Sequence, residues 1–284
     1  MTYDSLISVD QLIAERQESA PLVILDCSFD LSDPAAGRRA YEAGHIPGAS
    51  YVDLESTLSG PKTGKNGRHP LPAQEAFVQA MAALGLNDDT QVVAYDNAGS
   101  MYAARLWWML RWVGHSSAAV LDGGMDAWKR SGQALSADVP AVAIKGRFSL
   151  RPALVGAIDY EGVKANLETR QKLVLDARAP DRFRGENETL DPIGGHIPGA
   201  KNRLFRDNLS ADGTFKPAAQ LRQDFETLTG GRPADQVISQ CGSGVTACHN
   251  LLAMEVAGLK GATLYSGSWS EWSAQPGAPI ATGS

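Results

Sequence analysis

Short apolar runs alternate along the chain with longer segments whose apolar residues recur every three or four positions. The runs predict buried strands, and the longer spacing predicts helices, one of them over residues 74–84. Ser8 precedes one helical pattern as its expected N-cap. This alternation favours an α/β fold in which a mostly parallel sheet is flanked by helices. The clearest strand candidates are residues 21–26, 91–96, 172–176 and 237–241.

The second half of the sequence repeats the order of landmarks found in the first half. The segment Gly-His-Ile-Pro-Gly-Ala occurs at 44–49 and again at 195–200, and Cys241 stands 145 positions after Asp96. We interpret the repeat as a tandem duplication of one α/β domain. The join lacks periodicity and contains proline and glycine, which are typical of a connection. The predicted layout is a first domain at 1–140, a linker at 141–156 and a second domain at 157–284.

Cys241 ends the last apolar run and opens a glycine-rich loop that leads into a helical pattern. A loop at the start of a helix turns backbone N–H groups inward and favours a negative charge. A thiolate is therefore stabilised at Cys241 and is suited to act as a nucleophile. The first copy has Asp96 at this position, so only the second copy is predicted to be active. The amides expected to form the cradle belong to Gly242, Ser243, Gly244, Val245 and Thr246.

Composition and charge narrow the classes of partner. The 284 residues carry a formal net charge of −6 and contain no basic run, which argues against binding to nucleic acid or to an anionic membrane. No apolar run approaches the roughly 20 residues that span a bilayer, and the first residues lack the features of a secretory signal. Three cysteines suit a reducing compartment. We therefore expect a cytoplasmic protein.

These motifs together resemble the two-domain rhodanese-type sulfurtransferases. The resemblance rests on the two Gly-His-Ile-Pro-Gly-Ala segments, the single loop cysteine and the closing Gly-Ser-Trp-Ser-Glu-Trp at 267–272. It implies a tandem pair of rhodanese-like domains. The residues after Cys241 are similar to the 3-mercaptopyruvate sulfurtransferase branch, whereas rhodaneses that use thiosulfate typically place cations there.

This resemblance also implies a reaction. Cys241 would take a sulfur atom from 3-mercaptopyruvate, become a persulfide and release pyruvate. The sulfur would then pass to cyanide, to a small thiol or to thioredoxin. The resemblance implies neither a metal nor an organic cofactor.

Further site residues follow from the resemblance. Arg182, within Asp-Arg-Phe-Arg-Gly, matches an arginine that binds the donor carboxylate. A second arginine, usual before the second Gly-His-Ile-Pro-Gly, is absent, because residues 188–192 read Glu-Thr-Leu-Asp-Pro. Arg203 and Arg184 are the candidates to replace it. Ser243, with His69 and Asp53, matches a proposed proton relay, although the spacing from Asp53 to His69 is long and the role of the insertion between them is open.

Three other activities compete with this interpretation. A thiosulfate:cyanide sulfurtransferase would share every catalytic residue, and a non-catalytic persulfide carrier would need only Cys241. Related phosphatases need an arginine six positions after the cysteine to clamp the phosphoryl oxygens, and this chain has Ala247 there. Cys241, Cys248 and His249 lack zinc-site spacing.

Four other residues have simpler interpretations. His45 and His196 recur in both copies and are predicted to bond to backbone in the turns that contain them. Cys27 and Cys248 are predicted to be packing residues. A disulfide between Cys248 and Cys241 is the alternative. The sequence does not determine the physiological acceptor or the oligomeric state.

Overall fold

The computed structural model describes residues 2–138 and 144–284. Two compact units divide the chain, and each contains one sheet. The predicted boundary between residues 140 and 141 lies outside the described residues. The first unit comprises Met1–Gly60, Pro72–Leu154 and Ser210–Phe215, and the second comprises Pro61–Leu71, Val155–Leu209 and Lys216–Ser284.

The first unit has a parallel sheet with strand order β1-β5-β4-β2-β3. Its strands are β1 (Leu6–Ile7), β2 (Leu22–Asp26), β3 (Ser50–Tyr51), β4 (Gln91–Tyr95) and β5 (Ala118–Leu121). Its helices are α1 (Val9–Glu15), α2 (Ala36–Ala43), α3 (Gln74–Ala83), α4 (Ala103–Trp112) and α5 (Gly124–Arg130).

The second unit repeats this topology with the order β6-β10-β9-β7-β8, again with parallel pairs only. Its strands are β6 (Gly156–Ile158), β7 (Leu173–Asp176), β8 (Lys201–Asn202), β9 (Val237–Gln240) and β10 (Thr263–Tyr265). Its α-helices are α6 (Tyr160–Thr169), α7 (Pro180–Arg184), α8 (Ala218–Thr229), α9 (Thr246–Val256) and α10 (Ser268–Trp272). Two short 3-10 helices cover Phe205–Asn208 and Ala234–Gln236.

The repeated order confirms the predicted α/β class with two mostly parallel sheets. The four predicted strands are confirmed as β2, β4, β7 and β9, each within a residue or two of its expected ends. Ser8 is confirmed as an N-cap, since its Oγ accepts the N–H of Gln11 at 3.2 Å and the Gln11 side chain accepts the N–H of Ser8 at 2.8 Å. In each unit the central strand, β4 or β9, ends at the loop that carries Asp96 or Cys241.

Each sheet packs its own apolar core, and a tryptophan closes each core in the same way. Trp128 and Trp272 are buried, and the Nε1 of each donates to a backbone carbonyl a few residues later, at 3.0 Å and 2.8 Å. These matched contacts tie the last helix of each unit to the chain that follows it. Within the described ranges, no helix combines the length and apolar character that crossing a bilayer requires.

The two Gly-His-Ile-Pro-Gly turns have the predicted structural role. Nδ1 of His45 lies 2.8 Å from the carbonyl oxygen of Tyr41, and Nδ1 of His196 lies 2.8 Å from that of Phe183. Each imidazole also stacks on the ring of the same aromatic residue, with ring centres 4.0 Å and 3.7 Å apart. Each histidine therefore ties its turn to the preceding helix, through similar contacts in the two units.

Candidate functional site

Cys241 lies at the carboxyl end of β9 and is only 2% exposed. Its backbone is held by the start of α10. The N–H of Cys241 donates to Ser268 Oγ at 3.0 Å, and the N–H of Trp269 donates to the Cys241 carbonyl at 2.9 Å. The N–H of Ser270 reaches the Gly242 carbonyl at 2.9 Å. The loop therefore starts from a rigid position set by both β9 and α10.

Ser268 connects these two elements in a backbone conformation that is uncommon for a residue with a side chain. Its φ is +55°, in the left-handed region. The side chain is fully buried, accepts the N–H of Cys241 and donates to the carbonyl of Tyr265 at 2.9 Å. These two hydrogen bonds account for a strained serine at this position.

Two replacements of Ser268 separate the contribution of its hydrogen bonds to the free energy of unfolding from the cost of its backbone strain. Ser268→Ala should lower the free energy of unfolding by about 2 kcal/mol, because the buried N–H of Cys241 loses its acceptor. Ser268→Gly loses the same bonds but accepts a positive φ, so it should be less destabilising by roughly 1 kcal/mol. Denaturant unfolding of both variants measures the difference. A glycine variant less stable than the alanine variant would contradict the strain argument.

The cysteine sulfur lies in a cradle of backbone amides. The N–H groups of Ser243 and Gly244 donate to Cys241 Sγ at 3.4 Å and 3.1 Å. Gly244 has φ +76°, and a methyl group there would lie 2.3 Å from the Ser266 carbonyl oxygen, so only glycine fits. Within residues 2–138 and 144–284, the amides of Val245, Thr246 and Ala247 at the start of α9 have no protein acceptor. The loop thus offers more N–H donors than the sulfur uses.

The corresponding loop of the first unit shows which group such a cradle accepts. Oδ1 of Asp96 accepts the N–H groups of Ala98 and Ser100, both at 2.8 Å. Oδ2 accepts those of Tyr102 and Ala103, at 2.8 Å and 2.9 Å. Burial raises the pKa of Asp96, and the four amides act in the opposite direction. A carboxylate group fills the cradle of the first unit, whereas a single sulfur atom occupies that of the second.

Ser243 and His69 form a buried pair beside the sulfur. Nδ1 of His69 lies 2.8 Å from Ser243 Oγ, and the two residues are 2% and 6% exposed. Asp53 belongs to the first unit, where its Oδ1 accepts the N–H of Ser56 at 2.8 Å and the hydroxyl of Ser56 at 2.9 Å. The structure therefore brings Ser243 and His69 together and shows Asp53 in a local turn.

His69 reaches the second unit on a strap, which we define as residues 61–71. The strap bonds to residues of α10 and beyond: the N–H of Arg68 donates to Ser270 Oγ at 3.0 Å, and the Gln275 side chain donates to the Lys65 carbonyl at 2.9 Å. Gly67 has φ +82°, and a methyl group on it would lie 2.7 Å from the Gly267 carbonyl oxygen. The polar insertion in the sequence is thus a docked element of the second unit.

A row of six alternating acidic and basic side chains ends beside the loop. Arg182 lies within the row, its Nη2 2.8 Å from Glu188 and 3.3 Å from Asp191. Arg68 pairs with Asp191 at the loop end of the row. The row consists of Asp176, Arg178, Glu188, Arg182, Asp191 and Arg68.

The two acidic residues nearest the loop differ in their pKa shifts. Burial alone would raise the pKa of Glu188, but hydrogen bonds from Arg182 and from backbone amides outweigh it and lower the pKa. Burial raises the pKa of Asp191, and the Arg68 charge only partly opposes this. Burial therefore favours the protonated form of Asp191, whereas hydrogen bonding favours the ionised form of Glu188.

Two guanidinium groups lie beside Gly242, the residue after the cysteine. A methyl group on Gly242 would lie 2.8 Å from Nη2 of Arg68 and 3.5 Å from Nη2 of Arg182. The predicted substitutes for a second arginine lie elsewhere: Arg203 bonds to Asp224 at 3.0 Å, and Arg184 pairs with Glu186 at 2.7 Å. Sequence reasoning missed Arg68. The available signal was the pair of acidic residues, Glu188 and Asp191, at positions where arginine was expected.

The three cysteines are free thiols. Cys248 lies in the first turn of α9, and its Sγ donates to the Gly244 carbonyl at 3.3 Å. Burial raises the pKa of Cys27 well above its ordinary value, which keeps it a neutral packing residue.

Comparisons with known proteins agree with this architecture. The family model described as rhodanese-like domain matches residues 8–131 and 159–275. A probable 3-mercaptopyruvate sulfurtransferase of Pseudomonas aeruginosa is 46% identical over the full length of both chains. A putative thiosulfate sulfurtransferase of Mycobacterium tuberculosis is 36% identical and covers 98% of this chain and 97% of its own. A crystal structure of a 3-mercaptopyruvate sulfotransferase from Escherichia coli, 30% identical, superposes with a TM-score of 0.80 over 94% of this chain and 99% of its own.

Proposed function

Because the chain belongs to the rhodanese-like domain family, with one copy of the domain in each half, we propose that it is a 3-mercaptopyruvate sulfurtransferase with Cys241 as its nucleophile. The Cys241 thiolate attacks the sulfur atom of the donor. The carbon–sulfur bond breaks, its electron pair leaves with the carbon as the enolate of pyruvate, and a proton completes pyruvate. The sulfur stays on the enzyme as a persulfide until an acceptor takes it.

One observation carries this proposal: the cradle around Cys241 Sγ has N–H donors to spare. The sulfur already accepts two N–H groups, and the amides of Val245, Thr246 and Ala247 remain available within the described chain. A persulfide moves the negative charge to a second, outer sulfur atom next to the first. Preorganised amides stabilise charge that develops during the transfer.

The pair of Ser243 and His69 supplies the proton step. Its 2.8 Å contact lets the histidine orient the hydroxyl and exchange a proton through it. The hydroxyl belongs to the same loop as Cys241, so it lies near the carbon that leaves. The role of Asp53 as the orienting carboxylate stays a prediction.

Donor recognition in this proposal uses Arg182. Its guanidinium lies beside Gly242, one residue from the nucleophile, and suits the carboxylate of mercaptopyruvate. Thiosulfate is the second candidate donor, because the Mycobacterium tuberculosis relative is named a putative thiosulfate sulfurtransferase.

We further propose cyanide, a small thiol or thioredoxin as the acceptor of the sulfur atom. The cytoplasm is the proposed compartment, since it keeps free thiols reduced.

Donor kinetics test the proposal. With cyanide as acceptor, kcat/KM for 3-mercaptopyruvate should exceed that for thiosulfate by more than about tenfold, which is roughly 1.4 kcal/mol of discrimination. Incubation with the donor alone should add one sulfur atom to the protein mass and release pyruvate. A preference for thiosulfate would overturn the donor assignment. A stable persulfide with slow turnover on both donors would favour a carrier instead.

A further inference from the structure

Arg68 has a guanidinium edge that the protein leaves open. Its Nη1 bonds to Asp191, whereas its Nε and Nη2 have no acceptor among residues 2–138 and 144–284. Nη2 is the atom closest to the position of a methyl group on Gly242, at 2.8 Å. The side chain is 28% exposed, so a small molecule that enters beside the loop can reach it.

Arg182 presents a similar open edge on the same side of the loop. Its Nε and Nη2 bond to Glu188, and Nη2 also approaches Asp191. Its Nη1 has no acceptor in the described part of the chain and would lie 3.8 Å from a methyl group on Gly242. Two guanidinium groups thus offer N–H donors next to a residue that has no side chain. Because a carboxylate accepts donors on both oxygens, it fits between two such groups.

The balance of acidic and basic side chains in the row favours a ligand with a single negative charge. Three arginines are balanced by three acidic side chains, of which Asp191 and Glu188 are 3% and 4% exposed. A bound monoanion therefore adds one uncompensated negative charge, and a dianion adds two. Asp191, which bonds to both Arg68 and Arg182, repels the second charge most directly.

We propose that Arg68 is a donor-binding residue that clamps the donor carboxylate together with Arg182, and that Asp191 positions both guanidinium groups and disfavours dianionic donors. This inference rests on the proposed sulfurtransferase function and deepens it. It assigns to the strap, which lies in the first half of the sequence, a part in selecting the donor for Cys241.

Arg68→Met is the first test. Loss of one charge-assisted donor pair should raise KM for 3-mercaptopyruvate roughly tenfold to a hundredfold. The rate at which cyanide removes sulfur from an enzyme preloaded with polysulfide should stay unchanged, because that step does not use the donor site. Arg184→Met is the matched control: it removes an exposed arginine that pairs with Glu186, and its KM should stay within about twofold of wild type.

Asp191→Asn distinguishes donor binding from a purely structural role of the ion pair. It removes the negative charge but keeps a side-chain oxygen that can accept from both arginines, so KM for mercaptopyruvate should rise less than in Arg68→Met, and kcat/KM for thiosulfate should rise about fivefold or more. An equal rise in KM for mercaptopyruvate in Arg68→Met and Asp191→Asn would overturn the inference, since Arg68 would then act only through Asp191. An unchanged KM in Arg68→Met would overturn it as well.

The donor preference of the wild-type protein tests the proposed function, and the Arg68→Met variant tests the role of Arg68, so the two can fail independently. If wild type prefers thiosulfate, the assignment of the donor fails on those data alone. The Arg68→Met experiment is then read with thiosulfate, and a raised KM for that donor supports Arg68 as an anion-binding residue. An unchanged KM overturns it with either donor.

Discussion

Cys241→Ser should abolish sulfur transfer from every donor, lowering kcat/KM by roughly a thousandfold or more. A serine hydroxyl stays protonated at neutral pH and carries no sulfur, so the amide cradle around position 241 has no nucleophile to stabilise. Steady-state kinetics with cyanide measure the loss. Intact-protein mass spectrometry should show no added sulfur on the variant after incubation with donor.

Cys248→Ser is the matched control for this experiment. Its hydroxyl can keep the hydrogen bond that the Cys248 thiol donates to the Gly244 carbonyl, and position 248 lies inside α9. We expect activity within a fewfold of wild type. Retained activity in Cys241→Ser, or sulfur found on Cys248 in wild type, would contradict the mechanism.

Asp96→Ala should have the largest effect on stability, lowering the free energy of unfolding by about 3–5 kcal/mol. The carboxylate is 1% exposed and accepts four backbone N–H groups, all of which lose their acceptor in the variant. Thermal and denaturant unfolding followed by circular dichroism measure the loss.

Two control variants show whether the loss of stability is specific to Asp96. Asp89→Ala changes an exposed aspartate in a turn of the same unit and should leave stability within about 0.5 kcal/mol. Cys241→Ala removes a sulfur that accepts only two amides, so it should cost far less stability while removing activity. An Asp96→Ala protein as stable as wild type would show that the amides of this loop find other acceptors.

Local signals in the sequence predict the fold and the position of Cys241 at the end of a strand. The apolar runs before Asp96 and Cys241 match β4 and β9, and the repeated turns gave the correct structural role for His45 and His196. These features depend on neighbouring residues, which a single sequence displays. The duplication added an internal comparison that singles out Cys241 over Asp96.

Contacts across long stretches of sequence escaped prediction. Arg68 reaches the side of Gly242 because the strap docks on the residues around α10, and a polar segment without periodicity gives no sign of where it will bind. Arg203, which was predicted to replace the second arginine, bonds to Asp224 instead. Asp191 is buried, and a buried carboxylate needs a positive charge beside it to stay ionised. Arg68 provides that charge.

Because of the strap, the two halves of this chain cannot evolve as independent modules. The repeat in sequence suggests two interchangeable modules, yet residues 61–71 lie in the first copy and are built into the second unit. A fragment that begins at residue 157 keeps Cys241 and loses both Arg68 and His69. Recombination that exchanged the first copy for a homologous domain would therefore replace residues around Cys241 without altering Cys241 itself. Selection is therefore expected to act on the pair of copies as one heritable unit, even though only one of them carries Cys241.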